Sequence, residues 1–172
     1  EWNRPVAGVV CMPVTGRVFW GAHGLGAWMG EMDDVGTLQE SDANGDTQLA
    51  EEPAWQRMHV SNRTDGLVLA LSRSHLSAKT EAVMANPRVA RTLVAGSSLK
   101  GCLIACGEAD VYYRFGRTME WDTAAMQVVV EEAGGVIRQM DGSKMVYNKT
   151  IPDNPLGFFI LNRVESQLLT ER

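Results

Sequence analysis

Asp122, in the run Trp121-Asp122-Thr123-Ala124-Ala125, is the residue whose type and place offer the most chemistry. Aspartate is a favoured N-cap, because its carboxylate accepts from the unpaired amides of a first helical turn. The residues behind it read as that helix. Met126, Val129, Val130 and Ala133 fall at i, i+3, i+4 and i+7, one apolar face, and Gly134-Gly135 supply the stop. Trp121 and Met126 have the spacing of a hydrophobic staple across the cap. A carboxylate at the positive end of a helix dipole, beside free N–H groups, is a place for a metal ion, a phosphate or both. The alternative is an aspartate that only caps.

Three further polar clusters stand where strands are expected to end: Ser72-Arg73-Ser74-His75, Gly96-Ser97-Ser98-Leu99-Lys100, and Arg114. In open α/β sheets, ligands bind beyond the carboxyl ends of the strands. Lys100 falls in the first turn of a helix expected from a Ser97 cap to Cys106, where the dipole disfavours a cation. It therefore has either an anionic partner or a side chain reaching into solvent. Taken singly, His75 reads as a surface or capping residue and Arg114 as an ion-pair residue. Taken together, two cations, hydroxyls, an imidazole and helix N-termini suit a ligand with more than one phosphate.

Other motifs carry less. Asp42-Ala43-Asn44-Gly45-Asp46 resembles the start of an EF-hand loop, but Thr47 stands where glycine is needed and Pro53 where glutamate is needed. It lies in a run with eight acids between Glu31 and Glu52, which reads as a solvated excursion over residues 31–58. Gly24 and Gly26 lack a third glycine and a following helix, so they mark a turn between antiparallel strands. Cys102 and Cys106 are one helical turn apart without a second Cys/His pair nearby in sequence, and read as small buried hydrophobes. Three cysteines make no disulfide framework and suit a reducing cytoplasm.

The elements that must position these groups follow from periodicity. Residues 6–12, 17–22 and about 27–29 read as strands joined by glycine-containing turns. From residue 65 onward strand and helix alternate: a strand at 67–71, a short helix capped by Ser77, strands at 89–95 and 109–113, and a last strand at 157–161. Residues 136–147 read as a hairpin about Asp141-Gly142. The expected fold class is α/β, a mixed sheet with helices packed on it and preceded by antiparallel strands. With 172 residues, 45% hydrophobic and 22% charged, the chain can bury one good core. A formal charge of −5 argues against nucleic-acid or anionic-membrane partners. No apolar run reaches the length of a membrane span.

The signature around Asp122, followed by Glu132-Ala133-Gly134-Gly135, resembles that of the lithium-sensitive, magnesium-dependent phosphatases typified by inositol monophosphatase. The Ser72-His75 cluster, the Gly96-Lys100 cluster and Tyr113-Arg114-Phe115-Gly116 resemble more specifically the CysQ branch, the 3′(2′),5′-bisphosphate nucleotidases. The similarity runs from about residue 5 to 159, with four separated motifs in the right order. It implies the C-terminal half of that layered fold, with residues 1–64 as the terminal strands of a first antiparallel sheet and 65–172 as a C-terminal α/β subdomain. It implies Asp122 as a catalytic residue and magnesium ligand, with Ser97, Lys100, Arg114, Asp122 and Thr123 at the substrate and His75 near the nucleoside. An arginine at 114, where inositol monophosphatases carry an acid, favours a second phosphate. Met126 departs from the glycine common in the family.

The resemblance further implies a magnesium cofactor, inhibition by lithium, a small-molecule phosphate substrate and a cytoplasmic location. It leaves a homodimer or a missing N-terminal half open. The family's Glu-Glu pair and Asp-Pro-x-Asp-Gly-Thr loop do not occur here; Asp33-Asp34-Val35-Gly36-Thr37 echoes the second without its proline. Expected readings are therefore the C-terminal part of a nucleotidase, an inositol or sugar phosphatase, a non-catalytic nucleotide-phosphate module, or a structural fragment that binds nothing alone.

Overall fold

The computed structural model describes residues 3–32, 55–72 and 77–169. The EF-hand-like run, the Asp33–Thr37 echo and His75 lie outside these residues.

The chain begins as an antiparallel meander of β1 (Ala7–Met12), β2 (Arg17–Ala22), β3 (Gly26–Glu31) and β4 (Gln56–Met58), paired in that order. Gly16 at φ 71° and Gly24 at φ 79° take the left-handed conformations that its first two turns require. β4 was not expected: the acidic excursion ends three residues early, because Met58, 2% exposed, is drawn into the core and pairs with Ala27.

The second half runs β5 (Leu67–Leu71), α1 (Ala78–Met84), β6 (Val89–Val94), α2 (Leu99–Ala105), β7 (Val111–Arg114) and β8 (Thr118–Met119). A 3-10 turn over Glu120–Asp122 leads into α3 (Ala124–Glu132), then β9 (Val136–Gln139), β10 (Asp153–Asn154) and β11 (Phe158–Leu161). A five-stranded mixed sheet has the order β6-β5-β7-β11-β9, with β5 parallel to β6 and β7, while β11 is antiparallel to β7 and β9.

Side-chain alternation sorts the layers. Val68 and Ala70 of β5 face one core with Phe19, α2 and α3, whereas Leu67, Leu69 and Leu71 face a second core with Val83 of α1. Helices α2 and α3 thus fill the space between the two sheets. As expected, Met126, Val129, Val130 and Ala133 form the buried face of α3, at 1%, 0%, 0% and 3% exposure. Glu132 at its far end accepts from the Gly24 and Gly26 amides at 3.1 and 3.0 Å, tying the helix to the β2–β3 turn.

At the sheet edge where β5 begins, the wholly buried Asp110 carboxylate accepts from the Val68 amide at 2.7 Å and from Arg63 Nε at 2.8 Å, with Ser61 and Asn162 completing its shell. A buried charge persists only when paired and hydrogen-bonded in this way.

Three local expectations are corrected. The hairpin about Asp141-Gly142 has one strand only. After the turn, Met145 and Tyr147 are buried, at 4% and 5% exposure, so the returning arm packs into the core and β9 pairs with β11 instead. Ser97 does not cap α2: Ser98 occupies that position, and the Ser97 backbone has φ 43°. The Trp121–Met126 staple is not made, because Trp121 is 68% exposed while Met126 turns inward against Gly101.

α3 lies close enough to its neighbours that a Cβ on Gly8 would stand 2.5 Å from the Ala125 carbonyl oxygen. We expect Gly8→Ala to destabilise the fold by about 1–3 kcal/mol, the usual cost of overpacking against atoms that cannot yield. Gly101→Ala meets the Cγ and Sδ atoms of Met126, the end of a flexible side chain, and should cost less. Denaturant midpoints at unchanged m-value check both, and equal costs would contradict the packing account.

Candidate functional site

β5, β6 and β7 are parallel, so their carboxyl ends open on the same edge of the sheet. There lies a cavity of about 350 Å³ lined by Ser72, Gly96, Ser97, Lys100, Arg114, Thr118 and Asp122, with Tyr112, Met126 and Phe158 as apolar wall. A second cavity of about 380 Å³ adjoins it through Ser72, Tyr112 and Arg114 and extends to Ser77, Thr80 and Phe115. Ser72, the Gly96–Lys100 cluster, Arg114 and Asp122, separated by up to fifty residues in sequence, are thus brought together. Ser72 belongs to a cluster the sequence singles out, whereas Thr118 and the second cavity were not anticipated.

Asp122 does not cap α3 as expected. It ends the preceding 3-10 turn, and Thr123 takes the N-cap position without a side-chain bond. The Asp122 carboxylate points back, Oδ2 accepting from the Met119 amide at 2.8 Å. Its own backbone carbonyl accepts from the Ser98 hydroxyl at 3.1 Å, which joins the starts of α2 and α3. The carboxylate remains exposed at the cavity.

Lys100 is not solvated. It is 2% exposed, and its Nζ donates to the carbonyls of Ser97 at 2.9 Å and Ala95 at 3.3 Å while standing 4.8 Å from the centre of the Tyr112 ring. Its charge is held by carbonyl dipoles and an aromatic face. These bonds brace the left-handed Ser97 backbone. Burial pushes the Tyr112 hydroxyl above its ordinary pKa, against the Ser72 hydrogen bond and the Arg114 charge, which lower it.

Arg114 ends β7 half-buried, and its side chain makes no hydrogen bond or ion pair to another described residue. Nearby Arg117, by contrast, pairs with Asp153 at 3.1 Å.

Thr123, expected at the substrate, lies outside the cavity's described lining. It is 0% exposed, donates to the Glu120 carbonyl at 3.1 Å, and has the Tyr147 hydroxyl at 3.1 Å. The local turn demands this, since Thr123 is the hinge between a 3-10 turn and a helix. Burial pushes Tyr147 up to about 12, so its hydroxyl stays protonated and donates to Gln127 Oε1 at 2.6 Å. Sequence reasoning missed this support. Its signal was a polar string, Tyr147-Asn148-Lys149 and Asn154, in a segment where the hairpin expectation saw only a returning strand.

The donor set limits metal chemistry. Among the described residues, Asp122 is the one carboxylate lining the cavity, and no group of three or more His, Cys, Asp or Glu side chains gathers that could hold a metal ion. Magnesium demands an octahedral oxygen shell and is normally held by more than one charged oxygen. These residues alone do not build such a site. Nor is any described helix long and apolar enough to cross a membrane.

Comparison with known proteins agrees with this geometry. A model described as the inositol monophosphatase family matches residues 1–161. The 3′(2′),5′-bisphosphate nucleotidase CysQ of Escherichia coli is 31% identical over 147 residues, covering 86% of this chain and 51% of that protein. The crystal structure of CysQ from Bacteroides thetaiotaomicron superposes with a TM-score of 0.74 at 32% identity, over 94% of this chain and 59% of that one. Inositol monophosphatase from Anabaena (Nostoc) shares the fold, with a TM-score of 0.65 at 21% identity over 95% of this chain and 56% of that one. The chain spans about half the length of the curated CysQ relatives it matches. A layered α/β fold, a cavity at the ends of its parallel strands and a family match over nearly the whole length agree: the chain belongs to the inositol monophosphatase family.

Proposed function

We propose that this chain is the C-terminal part of a magnesium-dependent phosphatase that hydrolyses 3′-phosphoadenosine 5′-phosphate to AMP and phosphate. The observation that carries the reading is Arg114, a cation lining both cavities and making no ion pair to a described residue, in a chain similar to proteins named as bisphosphate nucleotidases. A ligand with two phosphates and a nucleoside has the charge and extent to occupy both lobes. The scissile phosphate lies in the lobe of Asp122, and Arg114 neutralises the second phosphate. The Lys100 ammonium acts behind the surface, fixing the 95–97 loop against which phosphate oxygens rest. Of the described residues only Asp122 could contribute a carboxylate to a magnesium ion. Further ligands would have to come from elsewhere in the protein, and such an ion would supply charge neutralisation at the phosphoryl group.

Activity measurements on the wild type and on variants test this. The purified 172-residue chain should release no more phosphate from the nucleotide bisphosphate, with magnesium present, than its Asp122→Ala variant. In the complete enzyme, Asp122→Asn should weaken activation by magnesium and lower turnover strongly while leaving the melting temperature nearly unchanged, because an amide oxygen still accepts from Met119. Wild-type turnover and metal dependence in that variant would reduce Asp122 to a turn residue.

Arg114→Ala should lower kcat/KM for the bisphosphate about tenfold or more, since a charge-assisted bond is worth roughly 1.5–3 kcal/mol, and should spare a nucleoside monophosphate. Lys100→Ala should impair both substrates alike, because it unfastens the loop they share. Preference of the wild type for inositol monophosphate would replace the nucleotide reading by a sugar-phosphate one.

A further inference from the structure

The 118–123 turn that presents Asp122 has its largest apolar side chain, Trp121, 68% exposed. Besides the Ser98 hydroxyl on the Asp122 carbonyl, polar bonds from one later stretch, residues 147–154, hold it. Asn154, 2% exposed, pairs with Thr118 in the two-residue β8–β10 ladder. Its Nδ2 lies 3.1 Å from the Met119 carbonyl oxygen, 3.3 Å from Thr118 Oγ1 and 3.4 Å from Thr123 Oγ1. Its Oδ1 accepts from Lys149 Nζ at 3.2 Å, and that ammonium continues to Glu120 Oε1 at 3.0 Å. The Glu120 carboxylate also accepts from the amides of Asn148 at 2.9 Å and Lys149 at 3.1 Å. One buried amide therefore grips the turn on both sides of Asp122, directly at 118, 119 and 123 and through Lys149 at 120.

We propose that Asn154 is a positioning residue, which fixes the turn so that the Asp122 carboxylate stays joined to the Met119 amide and faces the cavity. Asp122 is exposed, and a surface carboxylate keeps one direction only where its backbone and neighbours hold it. Asn154 does so without touching the cavity, since its donors and acceptor all face protein. Its effect on turnover rests on the phosphatase reading; its effect on the turn does not.

The test uses Asn154→Asp in the full-length enzyme containing these 172 residues. This variant keeps the size and the Lys149 contact but replaces the shared N–H donors by lone pairs facing the Met119 carbonyl. Exchange of the Met119 amide proton should rise about tenfold or more while amides of β5 and β7 keep their protection. In the same protein, kcat on the bisphosphate should fall about tenfold or more, with KM changed less than about twofold. Unchanged exchange at Met119 overturns the proposal whatever the rate does. Faster exchange with undiminished kcat overturns it equally. If the amides of β5 and β7 also lose protection, Tyr147→Phe, which removes a single hydroxyl beside Thr123, decides by the same two readouts. A wild type without phosphatase activity sinks the functional reading, and Met119 exchange then decides by itself whether Asn154 holds the turn.

Discussion

The close seat of α3 is the constraint on which the site depends. Three glycines on its neighbours allow it: Gly8 facing Ala125, Gly21 facing Val129, and Gly101 of α2 facing Met126. Without a Cβ at these points, backbone meets backbone or a buried side chain at van der Waals distance, and many small dispersion terms add up. The N-termini of α2 and α3 are thereby brought close enough for the Ser98 hydroxyl to reach the Asp122 carbonyl at 3.1 Å. The 95–100 segment and the Asp122 turn are consequently joined directly. A change in how α3 sits would displace the carboxylate and the lysine-braced loop together.

The two cations of the cavity do different work because they are held differently. Lys100 lies beneath the surface, its charge distributed over two carbonyls and an aromatic ring. An ammonium so placed shapes the backbone first and acts on a ligand through its field. Arg114 lies at the junction of the two cavities, with a planar, forked guanidinium suited to phosphate oxygens. The chain as a whole carries a formal charge of −5, so this cationic pair is a local feature of the site, not a reflection of composition.

Much of the fold was legible because its signals are local. The unbroken apolar run of Leu67 to Leu71 announced a strand covered on both faces, and the spacing of Met126, Val129, Val130 and Ala133 announced the buried face of α3. Ser72, the Gly96–Lys100 cluster and Arg114 line one cavity because the strands before them are parallel, which the strand–helix rhythm already implied. What failed depends on contacts distant in sequence. Asp122 looked like a helix cap, but its neighbours fold into a 3-10 turn secured by residues 147–154, and the cap shifts by one position. Lys100 was expected to have an anionic partner or to reach into solvent, because dipole reasoning sees only its own helix, whereas its ammonium donates to carbonyls of the preceding loop. Thr123 looked like a ligand residue, yet its hydroxyl is claimed by Glu120 and Tyr147. The expected second arm of the hairpin lost to core burial of Met145 and Tyr147.

The remaining step concerns charge balance within the first cavity. A phosphate and the Asp122 carboxylate sharing about 350 Å³ repel each other, and in partly desolvated surroundings that repulsion is stronger than in water. The Lys100 ammonium, committed to the carbonyls of Ala95 and Ser97, is poorly placed to stand between them. Arg114 lines the second cavity as well, where on the proposed reading it would serve a second anionic group better than the first. On that reading, an aspartate in such a cavity calls for a further cation to offset the two negative charges. Holding that cation would take more acidic oxygens than the described residues offer. Recognition of a polyanion would then draw on the cations and the braced loop, which the described residues supply, whereas cleavage would require the anionic phosphoryl group and Asp122 to be reconciled at close range.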